Sequence, residues 1–349
     1  MTARTMPARP AEDEAALRPV PWRRMAGVTW RQHRITLAAV IVLLGALAVW
    51  LWRIGTPLHN AYAAAAACHP ASSAACQNLQ DNFANIATNG LMGNKDPGGV
   101  LLQLVPVLIG AFAGAPVLAR ELETGTFRYA WTQGFGRWRW ALAKLVMLAV
   151  VLAAATAAFG VLVSWYFQPE FAAGDQFQAS PLVTLFGLRQ VTFPAWTVAA
   201  FAIGALAGML IRRVVPAIVA TLAVYAGLAF EVAGFARAHY LTPLVTTSNN
   251  FNVPGTNTAW VISQWFTKDG RFAFGSNPPL GILNQFCSSP GKGGPSFEPC
   301  LAPHGYTQWT SYQPASRFWP FQWIEGGWLL ALSVLLLGIT IWLVRRRAA

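Results

Sequence analysis

Two carboxylates set two residues apart in an otherwise basic stretch are the first residues with chemical potential. Glu121 and Glu123 lie in Ala119-Arg120-Glu121-Leu122-Glu123-Thr124-Gly125-Thr126-Phe127-Arg128, with Trp131-Thr132-Gln133, Arg137-Trp138-Arg139 and Lys144 following. An acidic pair among cations suits a charge-assisted contact with another protein; the plainer alternative is a pair of solvated loop charges. Thr124-Gly125-Thr126 can make a turn with a helix cap, and Phe127 to Trp131 can make a short helix along a surface.

Other reactive residues are sparser. Cys68, Cys76, Cys287 and Cys300 form two pairs close in sequence. Disulfides within each pair are the simplest bridges, although four cysteines allow three pairings. His69 and His304 stand near them, but no C-x-x-C or H-x-x-x-H spacing supports a metal site. His33, His59 and His239 are scattered, and no Ser-His-Asp, H-E-x-x-H or paired-carboxylate constellation is visible. Glu231 falls inside an apolar run toward its outer end, where an acidic group is costly and either marks a pathway, reaches water at the interface or pairs with Arg237. The cluster Arg317-Phe318-Trp319-Pro320-Phe321-Gln322-Trp323 reads as an interfacial aromatic belt, or as a substrate-contacting element through Phe318 and Trp319. No G-x-x-x-x-G-K-[ST] loop occurs, so ATP hydrolysis is not expected of this chain.

The elements that must position these residues are membrane helices. Of 349 residues, 55% are hydrophobic and only 11% charged, and the mean hydropathy is +0.41. A soluble chain is about a quarter charged. Apolar runs long enough to cross a bilayer lie near 35–52, 100–119, 141–166, 191–211, 214–236 and 325–344. The fourth and fifth, separated only by Arg212-Arg213, must form an antiparallel hairpin. Pro106, Pro116, Pro194 and Pro216 can kink their spans. The net charge of +12 is explained by basic residues flanking the spans, with no nucleic-acid motif beside them. That bias puts residues 1–34, the Arg120–Arg139 loop, Arg212-Arg213 and Arg345-Arg346-Arg347 on the cytoplasmic side. Lys144 then snorkels toward that interface. Segments near 53–99, 167–190 and 237–324 lie outside, where an oxidising exterior permits both disulfides. The fold class expected is an all-α polytopic membrane protein of six helices, with a cytoplasmic segment at 1–34 and a transmembrane domain over 35–349.

In residues 121–126, 132–133, 137–139 and 144 the chain resembles the membrane subunits of ABC exporters of the type-2 class. Their loop between spans two and three carries Glu-x-Glu-x-Gly-Thr, often followed by Thr-Gln and Arg-x-Arg with a lysine. The span count, the outer segment before span six and an amphipathic stretch from Trp22 to Arg34 fit as well. Trp30-Arg31-Gln32-His33-Arg34 and Phe318-Trp319-Pro320-Phe321-Gln322 look like those of actinobacterial members. The resemblance implies a short coupling helix, with Glu121, Glu123, Thr124, Gly125, Thr126 and Arg128 at the contact with a separate ATPase subunit that holds ATP and Mg. It implies a homodimer that moves a hydrophobic or amphipathic compound (drug, antibiotic or lipid-like) outward. A membrane enzyme acting on lipid or polymer at the outer face, and a non-transporting sensor, are the alternatives.

Overall fold

A computed structural model describes residues 22–70, 72–91, 98–125, 137–173, 180–183, 185–248, 258–287 and 298–346. Six helices among them are long and apolar enough to cross a membrane. They are α1 (Trp22–Ala67), α3 (Gly98–Glu123), α4 (Arg137–Ala172), α5 (Thr192–Ile211), α6 (Val214–Glu231) and α9 (Phe318–Arg346). A further helix, α2 (Ala74–Thr88), follows α1. The polytopic helical architecture expected from the apolar runs is therefore present.

The first and third spans are longer than the apolar runs alone define. Helix α1 has 46 residues and so reaches about 69 Å at the standard rise, roughly twice the hydrocarbon thickness. It runs unbroken through residue 34, so the stretch from Trp22 is continuous with span one. Its far end is tied to α4. The His59 ring stacks on Trp165 with centroids 4.3 Å apart, and His59 Nε2 lies 2.9 Å from the Trp165 carbonyl oxygen. Helix α2 folds back on α1 across the Cys68–Cys76 disulfide. The Tyr166 hydroxyl then accepts the Leu91 N–H at 3.1 Å.

The bundle's centre is the seam between α3 and α5. Each helix carries a small-residue motif, Gly110-x-x-x-Gly114 on α3 and Gly204-x-x-x-Gly208 on α5. A Cβ on Gly114 would sit 2.4 Å from the Phe201 carbonyl oxygen, and one on Gly208 would sit 2.5 Å from that of Ala115. Such close backbone approach gives van der Waals packing where lipid supplies no hydrophobic drive between helices. Helix α5 is buried along most of its length. The α5–α6 hairpin turns on Arg212-Arg213, with Arg212 left-handed at φ 59°. Pro194 and Pro216 stand in the first turns of α5 and α6, where a missing N–H costs nothing, so they do not kink their spans. Pro106 and Pro116 lie within α3.

The segment before span six holds structure that hydropathy did not predict. Strands β1 (Leu244–Ser248), β2 (Trp260–Lys268), β3 (Arg271–Gly275) and β4 (Tyr306–Gln313) form an antiparallel sheet in the order β1-β4-β2-β3. Two short helices, α7 (Leu280–Phe286) and α8 (Glu298–Leu301), are bridged by Cys287–Cys300 with Cα atoms 5.4 Å apart. Gln313, fully buried, ties the sheet to the end of span five by donating to the carbonyls of Ala238 and Leu241 at 3.1 and 2.7 Å.

Candidate functional site

The two ends of the bundle each gather charged groups around a glutamate. At the arginine-bearing end, α3 finishes with Arg120, Glu121, Leu122 and Glu123. Glu121 Oε1 accepts from Lys144 Nζ at 2.7 Å. The same ammonium donates to the Val117 carbonyl at 3.2 Å and lies 4.8 Å from the Trp140 ring centroid. Lys144 is only 3% exposed, so the structure buries it against Glu121 rather than extending it to an interface. Glu123 turns to a different helix. Its Oε2 accepts the Val214 N–H at 3.2 Å, satisfying one of the donors that the start of α6 leaves free. Arg213, at the cap position, makes no side-chain capping bond itself. The two glutamates thus clasp the end of span two to spans three and five.

The helix stops immediately after this clasp. Thr124 Oγ1 bonds back to the Arg120 carbonyl at 2.8 Å, and Gly125 adopts φ +70°. A glycine in the left-handed region just past the last helical turn is a common terminator, because a side chain there is strained. Thr126, Arg128 and the stretch expected to form a coupling helix lie outside the described residues.

The opposite end is organised by Glu325, which is fully buried. Its Oε2 accepts from Arg237 Nε at 2.8 Å and from the Tyr240 hydroxyl at 3.3 Å. Its Oε1 accepts from Arg237 Nη2 at 2.9 Å and from Trp196 Nε1 at 2.8 Å. Trp328 Nε1 extends the network to the Tyr240 hydroxyl at 3.2 Å. Burial, and then the Glu325 charge, push the Tyr240 phenol above its ordinary range, which keeps it a neutral donor. Arg237 reaches this position because α6 ends in a π turn over Val232–Ala236. A wider turn changes the phase at which the next side chain emerges.

This network reassigns one expectation. Arg237 pairs with Glu325, whereas Glu231 is exposed on the surface of α6. Phe318 packs edge-on against Phe186 at 5.7 Å, while Trp319 is 51% exposed. Between the Phe171 and Phe318 rings sits Arg189, 4.5 Å from each centroid, and burial pushes its guanidinium down to about 10. Gln322 Oε1 accepts the N–H groups of Val191 and Thr192, both at 3.1 Å, fixing the turn that leads into span four. All four cysteines are in disulfides, Cys68–Cys76 and Cys287–Cys300, the pairing that closeness in sequence favoured.

The family described as ABC-2 membrane transporter related matches residues 40–237. The chain belongs to this family. It is a multi-pass membrane protein and a transport permease. The matched range takes in the Glu121–Glu123 clasp and ends on Arg237, leaving the sheet and span six beyond it. Neither a curated protein nor a solved structure matched the chain.

The sequence reading found one glutamate pair and missed the other glutamate. Glu325 stands at the first residue of an apolar run, where it reads as a boundary. The paired G-x-x-x-G motifs are legible in the sequence as spacing.

Proposed function

We propose that this permease is the membrane half of an ATP-driven exporter, and that a separate ATPase subunit docks at the arginine-bearing end. The observation that carries this reading is the clasp: Glu121 on Lys144 and Glu123 on the Val214 N–H. A push on the segment that follows Gly125 reaches spans two, three and five together, as rigid-body coupling requires. In this reading the glutamates are positioning residues. They hold the docking segment, which includes Thr126 and Arg128, to the spans rather than meeting the ATPase themselves.

The arginine-bearing end is cytoplasmic by the positive-inside rule, and the disulfide-bearing end faces an oxidising exterior. ATP and Mg belong to the partner, since the chain carries no phosphate-binding loop. Two copies of the chain pair in the membrane. The cargo is a hydrophobic or amphipathic compound taken from lipid.

The test is purification of the full chain from its native membrane, followed by vesicle reconstitution with whatever ATPase accompanies it. A co-purifying ATPase with a phosphate-binding loop, and ATP-dependent movement of a hydrophobic dye to the disulfide-bearing side, are expected. Glu121→Ala with Glu123→Ala should insert normally and still bind the ATPase, yet lose coupled hydrolysis by about tenfold or more, given roughly 1.5–3 kcal/mol for a charge-assisted contact. Movement in the opposite direction, or full coupling in the double variant, overturns the reading.

A further inference from the structure

A cavity of about 390 Å³ opens beside the Glu325 network. It lies within the size range of small-molecule sites. Gln103, Trp196, Tyr225, Phe230, Arg237 and Trp260 line it. Aromatic and aliphatic side chains make up the rest of the wall around one amide and one guanidinium. Phe230 is 81% exposed, so an apolar ring stands at the margin of the opening.

The hydrogen-bond inventory decides what polar group the cavity takes. A guanidinium has five N–H donors. Arg237 commits Nε and Nη2 to Glu325, and no hydrogen bond involves Nη1 among the described residues. Both Glu325 oxygens are occupied, each by Arg237 and by a second donor, Trp196 or Tyr240. The ion pair is thus neutralised in place, while Arg237 still lines the cavity with donor capacity to spare. An incoming anion would find a cation already paired, with the Glu325 charge close behind it. A neutral acceptor such as a ketone, ether or ester oxygen would find a donor and no net repulsion.

We propose that this cavity binds a neutral, ring-bearing compound, its rings against Trp196, Tyr225 and Trp260 and its acceptor oxygen on Arg237 Nη1. The export reading supplies only the purpose of such binding, as a station on the cargo's route; the binding itself stands apart from it.

Benzophenone, a neutral diaryl ketone that crosslinks on irradiation, is the probe, applied to the full chain in lipid nanodiscs without nucleotide or partner. Peptide mapping should place the label on residues lining the cavity. Ala233→Trp, which adds an indole to the cavity wall from the π turn that follows α6, should lower that labelling at least tenfold. Three competitors share the two rings: diphenylmethyl methyl ether, diphenylmethane and diphenylacetate. On the unsubstituted chain the ether should compete about tenfold better than the other two. Undiminished labelling of the same peptides in Ala233→Trp, or equal competition by diphenylmethane, overturns the proposal. Stronger competition by diphenylacetate would make the site anionic-selective and overturn it too. The labelling needs no ATPase, so failure of an ATPase to co-purify would sink the export reading while leaving the site intact. A coupled exporter that does not label would do the reverse.

Discussion

The two ends of the bundle solve the same problem, a carboxylate packed among membrane spans, in opposite ways. At the arginine-bearing end, Glu121 is 17% exposed and meets one cation, and Glu123 is exposed and meets one backbone N–H. At the other end, Glu325 is wholly buried and takes hydrogen bonds from Arg237, Trp196 and Tyr240. A carboxylate with water nearby can rehydrate when its partner is lost, so the cost at this end falls on Lys144, 3% exposed and still bonded to the Val117 carbonyl. A carboxylate that is desolvated and fully satisfied cannot rehydrate, so every broken bond strands a buried group. The first end is built as a joint and the second as a lock, and a lever needs both.

The largest expected effect breaks the lock. Glu325→Ala leaves Arg237 charged, buried and unpaired, which costs about 3–5 kcal/mol. Purified in detergent, the variant should aggregate or unfold well below the temperature of the parent chain in a fluorescence-detected melt. Arg237→Met combined with Glu325→Leu should recover part of the loss, since well-packed apolar groups can replace a buried pair while Trp196 Nε1 is left without its acceptor. A single variant as stable as the parent would show that the network is not a lock.

The joint should yield differently. Lys144→Met removes the partner of Glu121, a charged hydrogen bond worth roughly 1.5–3 kcal/mol. The carboxylate left behind is near water and can rehydrate, so the melt should shift less than for Glu325→Ala. Stimulated ATP hydrolysis with the partner should fall more than stability does. A melt shift as large as that of Glu325→Ala would erase the distinction between the ends.

The sequence made the joint visible and hid the lock for a physical reason. Glu121 and Glu123 are conspicuous because their neighbours are basic and because the chain stops being apolar around them. Arg237 and Glu325 are 88 residues apart, each at the edge of an apolar run, and nothing local pairs them. The helical spans were legible because hydropathy alone specifies them. The sheet was not, because β4 buries Tyr306, Gln308, Ser311 and Gln313. Mostly polar residues are buried there, Tyr306 and Gln308 on one face and Ser311 and Gln313 on the other, so the alternation that marks a half-buried strand is missing. Only its content of Tyr, Thr and Trp pointed to β structure.

Between the two ends runs the α3–α5 seam, which must transmit displacement from one to the other. Gly114→Val tests its stiffness. The added Cβ would meet the Phe201 carbonyl oxygen at 2.4 Å, and neither backbone can yield without moving its helix. Overpacking of this kind costs about 1–3 kcal/mol. The expected outcome is a modestly lower melting temperature with coupling to the partner ATPase impaired. Intact coupling would mean that the ends communicate by another route.

The smallest effect sharpens the joint itself. Gly125 sits at φ +70°, and a Cβ added there would find nothing within 4 Å. Space is therefore not the constraint; the left-handed backbone is. Gly125→Val puts a β-branched residue into a conformation that costs an L-residue about 1–2 kcal/mol. At the end of a helix the chain can relieve that strain by fraying the last turn. Fraying would withdraw Glu123 from the Val214 N–H before it disturbed the spans. Thermal stability should change little, while stimulated ATP hydrolysis drops. Gly125→Asn separates this cause from a mere loss of glycine, because asparagine visits the left-handed region readily. If φ governs, the asparagine variant should couple nearly as well as the parent and the valine variant should not. Equal loss in both would shift the requirement from backbone conformation to a docked surface that tolerates no side chain at residue 125.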